Sequence, residues 1–506
     1  MSAADRGRRR TRVLPAALVG ALLLTGCSLG GSPTPTPSGT ATPRPFTVMS
    51  TDQVRVTDPA AVTDSASAML TTNVFQRLMT ADPGQSALKP DAARDCGFIT
   101  SATIYTCTLN EDEFFHNGHP LTSSDVKFSI ERAARLDVRG SSAGLLSSLR
   151  KIETPDPVTV RFVLSRVDTQ FGWALASPAA SIVDEEVYDA DRVQAPDEPI
   201  VGSGPFRVTS FEKNAIGLQR YEDYVGRSRP SLDSLVYRSE PDSASIEDAM
   251  NKGLTDVVWR GLDDAAVTRL SSQAAADGDA DTANGFHQSV LTGVRVLQLE
   301  WSRSSRSRAN KGLRQAIALS LQGDRTSDSV VPGGVPGHIA IFPLGGKTHP
   351  RVTWTKRITL TLGYDSTEPN GLDTATQIRT RLEDTGGLSV QLRPDETGDL
   401  TLVDRKAWTA TALAWLQPYL EAPLPATAAS VAATENAFTS LPLRSAADDA
   451  TADRLLATLQ KQAATDLVVL PVTQSDEYVY ARAGVRLSAS SFGPGWQLGL
   501  FGISRG

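Results

Sequence analysis

Residues 28–45, SLGGSPTPTPSGTATPRP, hold almost no side chain able to bury apolar surface, and the rest of the chain is organised around them. A stretch so rich in Pro, Thr, Ser and Gly is predicted to stay extended and mobile. In a polyproline-like conformation at ~3.1 Å per residue it reaches roughly 50 Å. A folded body therefore begins at Phe46 and hangs on a loose tether.

What precedes the tether reads as a processing signal. A basic segment, RGRRRTR, leads into the apolar run 13–24, shorter than the ~20 residues a membrane span needs. It closes on LLTGCS, which resembles a bacterial lipobox and makes Cys27 the lipidated residue. An ordinary secretory signal with an incidental cysteine, or a short anchor, remains the alternative. No later segment is long and apolar enough to cross a bilayer, so the lipid is the expected membrane contact.

Export explains the cysteines. The chain has three, and with Cys27 lipidated, Cys96 and Cys107 in DCGFITSATIYTC are expected to form a disulfide in an oxidising compartment. The alternative is two free buried thiols. No second pair stands at zinc-binding spacing. The net charge is −7, and because Met1–Gly26 carries +4, the remainder is −11. Such a body repels nucleic acid.

At 506 residues the chain is too long for one core. FTVMS, IYTCTL and TVRFVL have strand character, and SAMLTTNVFQRLM places Leu70, Val74 and Leu78 at helical spacing. VRVLQLEW, ITLTLGYD and LSVQLRP predict strands; NKGLRQAIALSL, TATQIRTRLEDTG and ADRLLATLQKQAATD predict helices. The alternation points to α/β architecture. LVVLPV and EYVYAR close the chain as further apolar segments.

His116, His119 and Asp125 fall within ten positions of NEDEFFHNGHPLTSSDVKFSIERAARL. Thr122 and Asp125 fit a capping box for the helix that follows, and no HExxH or third ligand accompanies the histidines. The reading is turn and cap, with no metal. PLGGKTHP fails as a phosphate loop, since the required glycine position holds Ile341. Ser203 sits in Gly-Ser-Gly-Pro, not in a nucleophile elbow. No cofactor motif and no enzymatic constellation emerges.

In chain order, YTCTLNEDEFFHNGHPLTSSDVKFSIERA, VGSGPFRV, LQRYEDYVGRSRPSLDSLVYR, NKGLRQAIALSLQGDR and DLVVLPVTQSDEYVYARAGV resemble landmarks of the family 5 extracellular solute-binding proteins. That is the dipeptide, oligopeptide and nickel class serving ATP-driven importers, and the resemblance runs from Phe46 to Val485. It implies an α/β, two-lobed periplasmic-binding-protein-like fold, with an extra subdomain inserted in the first lobe and a ligand cleft between lobes. The implied division is leader 1–27, tether 28–45, first lobe 46–80 and 200–292, insertion 81–199, second lobe 293–468, and return to the first lobe 469–506.

The implied function is capture of a peptide or peptide-like solute by cleft closure, outside the cytoplasmic membrane, and delivery to an ABC permease and its ATPase. The protein is expected to act as a monomer. A degenerate member acting as a sensor or partner-binding lipoprotein is the alternative. Peptide-binding relatives carry a Trp-x-Ala-Asp-Tyr-type segment whose Asp holds the ligand amine. The matching stretch here, AWLQPYLEAP, places Trp415 and Tyr419 in register and Pro418 where the Asp stands. Either Glu421 supplies the charge, or the ligand has no free amine. The expected cleft residues are Thr51 and Asp52 for polar contacts, Trp408, Trp415 and Tyr419 as an aromatic wall, and Glu421 as counter-charge.

Overall fold

The structure is a computed structural model. It describes residues 44–506 apart from 84, 86, 100, 277–280, 347–355, 406, 443–445 and 489–490. The leader, Cys27 and nearly all of the tether lie outside the described residues, and Pro45–Gly506 form one compact unit.

One ten-stranded sheet runs through the whole body. Its order is Leu388–Pro394, Ile358–Tyr364, Leu400–Arg405, Phe286–Trp301, Val469–Arg482, Val257–Trp259, Thr47–Ser50, Ser234–Ser239, Ala215–Arg220 and Phe206–Glu212. The two long central strands, Phe286–Trp301 and Val469–Arg482, pair antiparallel and serve both ends. LVVLPV and EYVYAR are thus halves of one strand. Val469, Leu470 and Val472 pack into the core built on Leu360, Ile378 and Leu402. Val479 and Ala481 pack into the core built on Val48, Leu70 and Tyr237. The two lobes therefore share two strands and keep separate cores.

A third core belongs to the inserted layer, a four-stranded sheet of Ala93–Phe98, Ile104–Leu109, Thr159–Leu164 and Leu149–Asp156, backed by helix Ser123–Leu136. Cys96 and Cys107 are register partners there and form the disulfide, with Cα atoms 4.1 Å apart. The capping box on Thr122 and Asp125 is present, Thr122 N donating to Asp125 Oδ2 at 2.9 Å. Val126, Ile130 and Ala133 are buried beneath it.

His116 and His119 hold the turn. The ring of His116 pairs through Nε2 with the Gly204 carbonyl at 2.9 Å, and His119 Nδ1 lies 2.8 Å from Asp184 Oδ2.

One helix is shorter than its periodicity predicts. It spans Ser65–Val74, capped by Asp64, whose Oδ1 accepts from Ser67 N at 2.8 Å. The turn of VGSGPF lies across its end, where Gly204 N donates to the Val74 carbonyl at 2.8 Å. A Cβ on Gly202 would stand 2.0 Å from that oxygen, which is why the turn needs glycine. The chain leaves the helix there, and Leu78 packs into the inserted layer instead.

Candidate functional site

The long central strands are interrupted between the lobes. Their register shifts between Leu291 and Arg295, where Gly293 adopts φ +68° and its amide donates to Asp476 Oδ1 at 2.8 Å. A bulge bends a strand pair locally, and this one falls between Leu291, packed on one core, and Val296, buried in the other.

Beside this bulge lies a buried ion cluster assembled from five strands or their ends and the loop after strand Ile358–Tyr364. Arg260 follows strand Val257–Trp259 and is 4% exposed. Its Nε donates to Asp52 Oδ2 at 2.8 Å, its Nη1 to Glu477 Oε2 at 2.8 Å, and its Nη2 to Glu368 Oε1 at 2.8 Å and to Asp404 Oδ2. Arg295 completes the group, donating from Nε to Asp404 Oδ2 at 2.9 Å and from Nη2 to Glu368 Oε2. Asp52 and Arg260 belong to the first lobe, Glu368 and Asp404 to the second, and Arg295 and Glu477 to the crossing strands.

Arg260 adopts φ +55°, a left-handed conformation that costs a non-glycine residue about 1 kcal/mol. Its side chain explains the tolerance, since only a guanidinium fork aims donors at four carboxylates at once. Burial raises the Asp52 carboxyl above the usual range against the pull of Arg260, and pushes Glu368 up to about 8. The surrounding carboxylates hold Arg260 firmly protonated.

Cavities flank this cluster. Strand side chains alternate between faces, so Trp259 borders one side and Val258 the other. On the Trp259 side, a cavity of about 410 Å³ is walled by the first lobe (Asp52, Arg55), the inserted layer (Arg139) and the second lobe (Glu368, Arg405). Arg55 Nη2 donates across it to Asp365 Oδ1 at 2.7 Å, and Arg405 Nη2 to Glu300 Oε1 at 2.5 Å. Two smaller cavities, about 50 and 20 Å³, share Arg405 with it. The Val258 side holds a larger cavity of about 630 Å³. There Arg381 pairs with Asp324, and the Asn370 amide donates to Asp264 Oδ1 at 2.9 Å.

The sequence-derived residues divide among these places. Asp52 walls the 410 Å³ cavity and is bound to Arg260. Thr51 lies beneath it, 2% exposed, with Oγ1 donating to the Arg260 carbonyl at 3.2 Å. Trp408 borders the smallest cavity and packs on Val62 and Ala68 of the first lobe. Glu421 lines the 50 Å³ cavity, accepts from Gln417 Nε2 at 2.6 Å, and has its carboxyl raised by burial.

Trp415 and Tyr419 instead stand inside the second-lobe core, on helix Ala412–Glu421. Tyr419 is 0% exposed and donates to Asp466 Oδ2 at 2.8 Å. Their i, i+4 spacing is the mark of a buried helix face. The strand Leu400–Arg405 and the loops at Asp365 and Glu396, not the helix Ala412–Glu421, present the second lobe to the 410 Å³ cavity.

Comparison with known proteins now bears on this geometry. Residues 87–427 match the model of the bacterial extracellular solute-binding proteins, family 5. The chain belongs to that family. This family 5 protein is 24% identical over 376 residues to a probable D,D-dipeptide-binding periplasmic protein of Escherichia coli K12, covering 69% of each chain. In fold it is similar to a dipeptide-binding protein from Pseudoalteromonas sp. SM9913 in complex with Met-Leu, at a TM-score of 0.74 and 15% identity, covering 91% of this chain and 100% of that one. It is equally similar to an agropinic acid complex from A. tumefaciens R10, at a TM-score of 0.75 and 18% identity, covering 92% and 99%. The two-lobed fold and the family expected from the sequence landmarks are thereby established.

Proposed function

We propose that this chain is the solute-capturing component of an ATP-driven importer, held outside the cytoplasmic membrane by a lipid on Cys27 and a flexible tether. It acts as a monomer, closing its lobes over a short peptide or peptide-like solute and presenting it to a permease; no covalent step is involved. Residues 46–80, 200–292 and 469–506 act as one lobe, 293–468 as the other, and 81–199 as the inserted layer.

The observation that carries the reading is the 410 Å³ cavity, walled by all three bodies beside the bulged crossing strands. Its volume suits a small ligand, for which pockets of about 300–1,000 Å³ are usual. Charged side chains of both signs line it, as a small zwitterionic solute requires. A relative named as a D,D-dipeptide binder and a neighbour in complex with Met-Leu agree with a short peptide ligand. In this reading Asp52 borders the solute space, Thr51 supports it from below, and Trp408 and Glu421 stand at the smaller cavities that share Arg405 with it.

A thermal-shift screen against dipeptides, tripeptides and sugar–amino-acid conjugates tests this. A ligand present at 100 times its Kd stabilises the closed chain by about 2.7 kcal/mol. A flat response across the library would overturn the reading and favour a sensor or partner-binding role for the same fold.

A further inference from the structure

The arginines on the wall of the 410 Å³ cavity are not equivalent. Arg55 is bonded to Asp365, and Arg405 to Glu300. Arg139, from the inserted layer, lines the same wall and makes no hydrogen bond or ion pair among the described residues. The adjoining 50 Å³ recess shares Arg139, Glu300, Trp301 and Arg405 with the cavity and adds Arg303. Arg303 likewise makes no hydrogen bond or ion pair among the described residues. The recess is small but not closed to a ligand group, since a single water needs only ~10–15 Å³.

Local structure fixes where these two side chains start. Helix Ser123–Leu136 ends on Asp137 at φ +41°, and Gly140 at φ +82° turns the chain again. A Cβ on Gly140 would stand 3.6 Å from Thr63 Cγ2, so the turn rests on the first lobe. Gln417 Nε2, on helix Ala412–Glu421, donates to the Ser141 carbonyl at 3.0 Å and ties the same turn to the second lobe. Arg139 therefore stands where all three bodies meet. Arg303 lies just beyond the end of strand Phe286–Trp301. Of the carboxylates in the recess, Glu300 is taken by Arg405, and Glu421 accepts from Gln417. Three guanidiniums thus line it with two carboxylates. Their charge is felt next door, where burial lowers the Arg308 side chain and Arg303, Arg314 and Arg139 lower it further. Like charges set facing each other across an interface oppose its closing.

We propose that Arg139 and Arg303 form a carboxylate subsite, in which an acid group of the solute bridges the inserted layer and the second lobe. The rest of the solute occupies the 410 Å³ cavity. The inference deepens the capture reading and rests on it. A guanidinium offers a carboxylate two parallel charge-assisted hydrogen bonds, each stronger than a neutral one. Arg139 and Arg303 have those donors to spare, whereas Arg55 and Arg405 must first give up a partner. A bound carboxylate also offsets the two like charges that closure brings together, so it favours the closed form as well as filling the recess.

Two matched libraries test it on the full chain carrying Cys27→Ser. One holds dipeptides, tripeptides and sugar–amino-acid conjugates as free acids, and the other holds the same compounds as primary amides. Binding is read by native mass spectrometry and titrated for the compounds retained. The unsubstituted site is expected to bind the acids roughly ten-fold or more tightly than the matching amides. Arg139→Gln and Arg303→Gln are each expected to weaken the acids towards the level of the amides. Their melting temperatures stay unchanged, because neither side chain has a partner in the fold to lose. Arg139→Lys keeps the charge without the fork and is expected to keep part of the preference. Equal binding of acids and amides, or glutamine variants that still discriminate as the parent does, would overturn the subsite and leave capture standing. A chain that binds neither library would overturn the capture reading and the subsite with it.

Discussion

Arg260 and Asp404, 144 residues apart in sequence, join the two lobes through a charge-assisted hydrogen bond from Nη2 to Oδ2. Each also serves other partners, Arg260 on Asp52 and Glu477, Asp404 on Arg295. The contact is thus the centre of a network, and its removal unsettles all of it.

Arg260→Met takes a guanidinium away from four buried carboxylates, Asp52, Glu368, Asp404 and Glu477. Removing one partner of a buried ion pair costs ~3–5 kcal/mol, and urea unfolding of the variant is expected to show a loss of that size. Arg260→Lys recovers only part, because one ammonium cannot reproduce the fork. A loss in Arg260→Met smaller than about 1 kcal/mol would contradict the role assigned to it.

The two tryptophans separate by readout. Trp415 is 4% exposed within the second-lobe core, so Trp415→Ala is expected to lower stability by ~3–5 kcal/mol. Trp408 bridges to Val62 and Ala68 across the lobe boundary. Trp408→Ala is expected to cost less stability while shifting the lobes towards the open form, visible as a larger radius of gyration in X-ray scattering. Equal effects of both substitutions on both readouts would contradict this division.

The disulfide lies on the inserted sheet, away from the cavity walls. Intact mass is expected to rise by two hydrogens on reduction. Cys96→Ser with Cys107→Ser closes no loop in the unfolded chain and is expected to lose roughly 2–3 kcal/mol, with solute binding unchanged.

His116 gives a pH signature of its own. Burial lowers its ring to about 4 from an ordinary 6.5. The unfolded chain therefore binds a proton that the folded chain refuses between those values. This contribution to stability is present above pH 6.5 and is lost as pH falls towards 4. Denaturation of the wild type across that window is expected to be steeper than that of His116→Asn; parallel curves would contradict a neutral, buried ring.

The landmarks that were legible in the sequence are those whose cause is local. The capping box at Thr122 and Asp125 and the helix in NKGLRQAIALSL each answer to neighbours within a few residues. The cysteine pair was legible because compartment and proximity agree. The ion cluster was not, since Asp52, Arg260, Arg295, Glu368, Asp404 and Glu477 are scattered along the chain and none forms a motif. One trace existed: VVWRGL sets an arginine directly after a fully apolar strand, a place where a charge must find partners.

Trp415 and Tyr419 stand in register with a family segment, yet their helical spacing marks one buried face, and both lie in the second-lobe core rather than in an aromatic wall. Leu78 continued the spacing of Leu70 and Val74, yet the helix stops at Val74 under a turn that lies over 120 residues away in the chain. Periodicity cannot see such a contact.

The central claim is that a solute occupies the cavity between the lobes, and native mass spectrometry of gently purified protein tests it most directly. Thr63 is exposed at the rim of the 410 Å³ cavity, and Thr63→Trp fills the space without touching a core. The account predicts a discrete additional mass on the wild-type chain, released on collisional activation and missing from Thr63→Trp. A bare wild-type mass together with no response to short peptides or conjugates, or an additional mass that Thr63→Trp retains, would contradict it.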